Sequence, residues 1–329
     1  MAVNYDCEEK HKINNFIILI SYRSKSRKKS IFYVRKVGYM DILVITINYN
    51  NKQLTRECIE SVVAKTKKLS FEIIVIDNAS KDGSKSELSK LELENYTYIY
   101  NRNNVGFAKA NNQASRIASG EYLFFMNNDM VFVNNVLYNL LEFMNKNNSI
   151  GIVGPKFLNS DGTLQISCRS FPSIKLGLIK FIPFLNMFFH KDLMKYYQKE
   201  LDFNLSHCVE TVSAGAVLIS RQFFNNIGGF DEFSFMYGED ADICKRVRDL
   251  GYKVVYYPKA VLIHYGGQSS KLNSYKAIWS YNIGFYLLYK KYYFKKMAFF
   301  IKPFFVLRAI IELIFNFFIK DYNVTWYKK

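Results

Sequence analysis

From Asp41 onward the chain repeats one unit: a short apolar run, a polar tip, then apolar residues at helical spacing. Ile42 to Ile47 is a β-branched run ending in Asn48-Tyr49-Asn50, followed by Gln53 to Lys65 with Leu54, Cys58, Ser61 and Val62 on one helical face. Phe71 to Ile76 is a second strand ending at Asp77-Asn78-Ala79-Ser80, and Asp82-Gly83-Ser84 turns into a helix over Lys85–Leu93. Tyr96 to Tyr100 is a third strand, ending at Asn101-Arg102-Asn103-Asn104-Val105-Gly106-Phe107, and a helix follows over Ala108–Ala118. Tyr122 to Met126, bounded by Gly120 and by Asn127-Asn128-Asp129, has the length and flanks of a buried parallel strand. Strand, tip and helix in this order predict an α/β fold on a mostly parallel twisted sheet with right-handed crossovers.

The tips carry the chemistry. Open α/β sheets bind ligands at the carboxyl edge of their strands. Four successive strands bring Asn48 and Asn50, Asp77, Asn103 and Asn104, and Asn127 and Asp129 to that edge. A single Asp after a strand is ordinarily a turn residue. Four polar tips in a row, two with a carboxylate, describe a crevice with Asp129 at its floor. Neither G-x-G-x-x-G nor G-x-x-x-x-G-K-[ST] follows the first strand, which argues against a Rossmann dehydrogenase or a P-loop enzyme.

A second cluster lies further along. Val212-Ser-Ala-Gly215-Ala216 precedes strand Val217–Ser220, and Gly228-Gly-Phe-Asp-Glu232 reads as a loop. From Glu239, the spacing of Ile243, Cys244, Val247 and Leu250 predicts a helix ended by Gly251, with Asp242 and Arg246 as i,i+4 partners. Glu239 and Asp240 fall in its first turn, a favourable place for carboxylates on structural grounds alone. Strand Lys253–Tyr257, Pro258 and strand Ala260–His264 follow, and His264 stands at a strand end, where its worth depends on whether Asp129 is near.

Composition narrows the class. Half of the 329 residues are hydrophobic and 17% aromatic, enough for a large core. The five cysteines are odd in number and lack a C-x-x-C pair, against a disulfide framework or zinc site and for a reducing compartment. The net charge of +17 sits at the ends: +6 over residues 1–40, +9 over 271–329, and only +2 between them. Basic ends on a near-neutral body suit an anionic membrane surface better than nucleic acid.

Taken together, Val44-Ile-Thr-Ile-Asn-Tyr-Asn50, Val75-Ile-Asp-Asn-Ala-Ser80, Asn103-Asn-Val-Gly-Phe-Ala108, Phe125-Met-Asn-Asn-Asp129, Gly228-Gly-Phe-Asp-Glu232, Phe235-Met-Tyr-Gly-Glu-Asp-Ala-Asp-Ile-Cys-Lys-Arg246 and His264-Tyr-Gly-Gly267 form a signature. From Asp41 to about Ser270 the chain resembles the family 2 inverting glycosyltransferases of GT-A fold, particularly the rhamnosyltransferase-like group that builds surface glycans. The resemblance implies that Asn48 and Asp77 hold the nucleotide's base and ribose, with Asn50, Asn104, Gly106 and Phe107 shaping the same pocket. It implies that Asp129 is the last carboxylate of an Asp-x-Asp metal motif, with Asn127 a departure at the first position and Asn128 between them. His264 would complete a site for Mn²⁺ or Mg²⁺. Asp240 would be the catalytic base with Glu239 in reserve, and Gly215 and Ala216 would line the donor-sugar site. The implied partners are a nucleoside-diphosphate sugar, rhamnose being the family-level expectation, and a glycan or lipid-linked acceptor. Two rivals are a non-catalytic sugar-nucleotide-binding module of the same fold and a nucleotidylyltransferase. The second is disfavoured because no Gly-rich, basic loop follows the first strand.

Outside that match, residues 1–40 read as a basic appendage, disorder being one reading, around a catalytic domain over 41–270. Residues 271–329 read as a helical membrane-associating tail. In it Arg308, Glu312 and Asn316 recur every four residues as one polar stripe, as in a helix lying in a membrane interface. The expected location is cytoplasmic, peripheral at the inner face of the cell membrane.

Overall fold

The computed structural model describes residues 16–21, 32–37, 40–181, 188–266, 274–295 and 298–318. Strands β1 (Phe16–Ser21) and β2 (Phe32–Val37) form a separate antiparallel pair. The repeating unit then appears as β3 (Met40–Asn48), α1 (Lys52–Lys65), β4 (Phe71–Asp77), α2 (Ser84–Leu88), β5 (Tyr96–Tyr100), α3 (Phe107–Ser115) and β6 (Gly120–Asn127). β3 pairs in parallel with both β4 and β6, and β4 with β5. The chain steps outward from β3 to β5 and returns to the other side of β3 as β6. That reversal is the place where an open α/β sheet leaves a crevice, and here it lies between the tips Asn48 and Asn127.

Both faces of these strands are covered, which is why they are apolar throughout rather than alternating. On β3, Leu43 and Ile45 face a cluster that includes Ala108, Ala110 and Ala114 of α3. Ile42 and Val44 face the opposite cluster, with Cys58, Ile59 and Val62 of α1. Helix α2 is shorter than its sequence predicts, because regular structure stops at Leu88.

The second half completes the sheet with β7 (Met130–Phe132), α4 (Val136–Asn145), β8 (Ile150–Leu158), β9 (Leu164–Gln165) and β10 (Cys168–Arg169). Then come α5 (Ile174–Phe181), α6 (His190–Tyr196), β11 (His207–Cys208), β12 (Thr211–Val212), β13 (Ala216–Ser220), α7 (Arg221–Asn226), α8 (Glu239–Asp249) and β14 (Lys253–His264). The main sheet runs β11-β14-β8-β13-β6-β3-β4-β5, with β7 on β14 and β9 on β8, a mixed sheet whose long pairings are mostly parallel. Pro258 predicts a break between two strands. Instead β14 runs unbroken, and Pro258 sits where its register against β8 shifts between Tyr257 and Val261. A bulge is where a strand accommodates proline.

Two helices close the described chain, α9 (Ser274–Tyr292) and α10 (Ala298–Phe318). α9 packs on the body: Lys291 pairs with Asp231 at 2.6 Å and with Asp242, and Tyr292 donates its hydroxyl to Asp242 at 2.7 Å. Asp242 is fully buried and also holds Arg246 at 2.8 Å, the i,i+4 pair the sequence predicts. The stripe of α10 turns inward, onto α9. Arg308 is buried, Glu312 accepts from Arg308 at 2.9 Å, and Asn282 of α9 donates to Glu312 at 2.8 Å.

Candidate active site

β6 ends at Asn127, and the chain turns directly into β7, which pairs antiparallel with the end of β14 so that Met130 faces His264. Tyr265 N–H donates to the Asp129 carbonyl at 3.0 Å, closing the same corner. Asp129 Oδ1 and His264 Nε2 are thereby held 3.3 Å apart, with Asp129 buried and His264 half-buried. Gln165 of β9 decides which nitrogen faces the acid. Its amide donates to Asn159 Oδ1 at 2.9 Å and to the His264 carbonyl at 3.3 Å, so its oxygen meets His264 Nδ1 at 2.5 Å. Nδ1–H therefore donates to the Gln165 oxygen, which leaves Nε2 facing the carboxylate. A carboxylate and an imidazole brought together in this way are a donor set able to bind a cation, and a ligating imidazole is commonly oriented by a hydrogen bond through its other nitrogen. One carboxylate oxygen and one imidazole suit Mg²⁺ or Mn²⁺. Among the described residues no group of three or more His, Cys, Asp and Glu could hold a metal by itself, so ligand oxygens would have to complete the sphere. Cys58 lies beneath Asp129, and burial together with the Asp129 charge pushes its thiol up to about 12, which keeps it neutral.

The tips of β3 and β4 are tied into one buried network. Asn48 donates to Asp77 at 2.7 Å, and Asp77 also accepts from Tyr98 at 2.7 Å and from Ser80 N–H at 2.7 Å. Thr55 donates to Asn48 at 2.8 Å, and Asn128 donates to Thr55 at 2.8 Å. Asn48 and Asp77 have no exposed surface. In this structure they brace the crevice from beneath, and neither side chain opens into it. Asn50 (φ 51°) accepts from Lys81 N–H at 2.6 Å, joining the loops after β3 and β4. Asn104 accepts from Gly106 N–H at 3.0 Å, and Gly106 (φ +89°) leaves no room for a Cβ against the Phe235 carbonyl. Phe107 N–H donates to that carbonyl at 3.0 Å, and its ring meets Phe230 edge-on at 5.9 Å. Gly215 accepts from Asn127 N–H at 2.7 Å, and a Cβ on it would press on Met130 and Asn127, so the small-residue loop before β13 reaches the metal-motif turn. Ala216 continues it into β13, opposite Met126.

Glu239 and Asp240 open α8 as the sequence predicts. Ahead of them, Tyr237 (φ 76°) and Gly238 (φ 95°) are both left-handed. This turn is gripped from two sides: Gly106 of the crevice fits against Phe235, and Gly284 of α9 fits against the carbonyls of Met236 and Tyr237. Burial, and secondarily the neighbouring Asp240 charge, holds the Glu239 carboxyl above its ordinary value, and its Oε2 has no hydrogen-bond partner among the described residues. Asp240 is half-buried and also raised by burial, with Arg169 pulling the other way and Ala241 N–H donating to it at 2.8 Å.

The short segment that carries β9, on β8, and β10, on β12, links the two acid centres. Gln165 orients His264, and Arg169, four residues on, is near enough for its charge to act on Asp240 and lies 5.9 Å from the Tyr197 ring. Four residues of extended chain span at most about 14 Å. Sequence patterns single out neither residue. Asp161-Gly162 between β8 and β9 is the available signal, since such a pair marks a hairpin that must return to the strand it left.

Comparison with known proteins fits this geometry. The profile described as glycosyl transferase family 2 matches residues 43–227, and one described as the N-terminal domain of galactosyltransferase matches 197–267. The O-antigen biosynthesis protein RfbC of Myxococcus xanthus is 25% identical over 72% of this chain, which spans only 18% of that protein. An N-acetylglucosaminyl-diphospho-decaprenol L-rhamnosyltransferase of Mycobacterium tuberculosis is 27% identical over 60% of this chain and 67% of its own length. Two solved structures share the GT-A fold. Mannosyltransferase PcManGT from Pyrobaculum calidifontis, in complex with GDP-Man and Mn²⁺, has a TM-score of 0.51 at 15% identity, covering 87% of this chain and 82% of its own. GalNAc-T7 with UDP, GalNAc and Mn²⁺ has a TM-score of 0.53 at 18% identity, covering 70% of this chain and 45% of its own. With more than half of its length matched by one family profile, the chain belongs to glycosyl transferase family 2.

Proposed function

We propose that the chain is a metal-dependent inverting glycosyltransferase that moves a sugar, rhamnose first among candidates, from a nucleoside diphosphate to a surface glycan or lipid-linked oligosaccharide. The observation that carries this reading is the pairing of Asp129 with His264 at 3.3 Å, with the imidazole oriented by Gln165. Those two side chains would hold Mn²⁺ or Mg²⁺. When bound, the ion neutralises negative charge growing on the departing diphosphate.

Asp240 takes the proton from the acceptor hydroxyl as its oxygen bonds to the anomeric carbon and the carbon–diphosphate bond breaks, inverting that centre. Its raised pKa makes it a stronger base than an ordinary Asp. Glu239, buried and raised, is protonated at lower pH and stands in reserve. Asn48, Asn50, Asp77, Asn104, Gly106, Phe107, Asn127 and Asn128 form or brace the nucleotide pocket, and Gly215 and Ala216 flank the sugar. The relative named a rhamnosyltransferase supports the sugar and a lipid-diphosphate acceptor. Such an acceptor, with the basic chain ends, supports work at the inner face of the cell membrane.

The rival, a non-catalytic sugar-nucleotide-binding module, draws on the single carboxylate at the metal motif. A thermal-shift screen of nucleotide sugars with and without Mn²⁺ identifies the donor, and hydrolysis of that donor separates the readings. Asp240→Asn is expected to lower turnover by about 10²–10⁴-fold while donor binding persists. Equal rates in both proteins would remove Asp240 from its role, and no turnover in the parent would favour the module.

A further inference from the structure

Helix α10 is built inside out. Its polar residues Arg308 and Glu312 point into the protein with Ala309, which is fully buried, and they bond to each other and to Asn282 of α9. Its large apolar residues point away: Phe299, Phe304, Leu307, Ile311, Ile314 and Phe317 are 40–81% exposed. A helix on a water-soluble body shows the reverse pattern. A continuous apolar face of this kind on a protein surface marks something that covers it. The neighbouring helix α5 adds Ile174 and Leu178, also exposed.

We propose that the outward face of α10 beds into the surface of an anionic lipid bilayer. Charge selects this occupant. Residues 271–329 carry eleven Lys and Arg against two Asp and Glu, and Lys290 of α9, Lys302 of α10 and Lys295 between the two helices are exposed. Anionic headgroups complement such a surface. A second copy of this chain, docked about a twofold axis, would instead bring the same +9 segment against itself. Among the described residues no helix is long and apolar enough to cross a membrane, so α10 lies in the plane of the interface. The inward Arg308–Glu312–Asn282 cluster fixes the helix's rotation, and α9 ties it to the turn that carries Glu239 and Asp240. The docking surface rests on the transfer reading only for its purpose, bringing the crevice to a lipid-linked acceptor.

The test is flotation of the full chain with phosphatidylcholine vesicles, with and without phosphatidylglycerol, alongside its elution size and its donor hydrolysis. The parent is expected to float with the anionic vesicles and to lose binding as salt rises. The triple variant Phe304→Ser, Leu307→Ser, Ile311→Ser is expected to bind at least about tenfold less, with unchanged donor hydrolysis. Phe299→Ser, at the most exposed of these positions, gives the same direction in a single change should the triple variant not fold. Variants that float as well as the parent overturn the proposal. So does a parent dimer that the triple variant converts to monomer without loss of vesicle binding. If the parent binds vesicles through this face but hydrolyses no nucleotide sugar, docking stands and the transfer reading falls.

Discussion

At the scale of single residues, the site depends on how Gln165 and Glu239 set the state of their neighbours. Without the Gln165 oxygen, His264 Nδ1 loses its acceptor and the ring is free to turn or change tautomer. Gln165→Leu is therefore expected to weaken Mn²⁺ binding by about 10–100-fold, whereas Gln165→Glu, which keeps an acceptor, retains most of it. Electron paramagnetic resonance titration with a nucleoside diphosphate present reads this directly, and equal affinities would show that the contact does not orient the ring. Glu239 makes a pH prediction. Its carboxyl is raised in the folded chain, so the folded state holds this proton more tightly than the unfolded state does. Stability from this group is full below its ordinary value of 4.5 and declines as pH rises toward the raised one. Thermal melting of Glu239→Gln from about pH 5 to about pH 8 should fall less with pH than that of the parent. Parallel curves would mean that Glu239 is not held protonated. The places of Asp129 and His264 at strand ends and of Asp240 in a helix's first turn were legible in the sequence, whereas the roles proposed for them rest on the family resemblance. Gln165 and Arg169 were not legible, because two-residue strands carry no periodicity to read. Nor could spacing show that Asn48 and Asp77 turn toward each other and away from the crevice.

Among elements, the turn Phe235–Gly238 joins the parts. Gly106 of the crevice and Gly284 of α9 grip it from opposite sides, so a helix from beyond the family signature helps to place Glu239 and Asp240. Gly284→Val would press a branched side chain on the Met236 and Tyr237 carbonyls, and overpacking of this kind costs about 1–3 kcal/mol. The expected outcome is a lower melting temperature and a larger fall in kcat than in donor affinity. A variant with the parent's kcat would show that the turn is placed without α9. The parallel strands were legible as apolar runs buried on both faces. The run from β9 to β12 was not, since its strands are only two residues long. The polar stripe of α10 was visible as a stripe, but which side of the helix meets the protein is fixed only by α9.

For the whole molecule, one buried charge is central to how the closing helices are fastened to the body. Asp242 meets Arg246 within its own helix and Lys291 and Tyr292 across the interface with α9. Asp242→Ala would leave Arg246 with only backbone carbonyls and Lys291 with only Asp231, and breaking a buried pair from one side costs about 3–5 kcal/mol. Denaturant unfolding should show a loss of this size, and a loss like that of an exposed pair would mean that α9 is attached mainly by its apolar contacts. The charge asymmetry along the sequence is what first suggests the surface role proposed for the end of the chain. It carried no information on how closely α9 is built into the catalytic body.

The corner where β7 meets β14 makes the acid–imidazole spacing a matter of counting. Side chains alternate along a strand, so removing Leu262 or Ile263, which pair in regular register with β7, would send the ring of residue 264 to the opposite side of the sheet. Such a deletion would leave a folded protein with an intact acid and no nitrogen beside it. Insertions or deletions in this stretch should thus abolish ion capture outright, where point changes at the same positions would merely dull it.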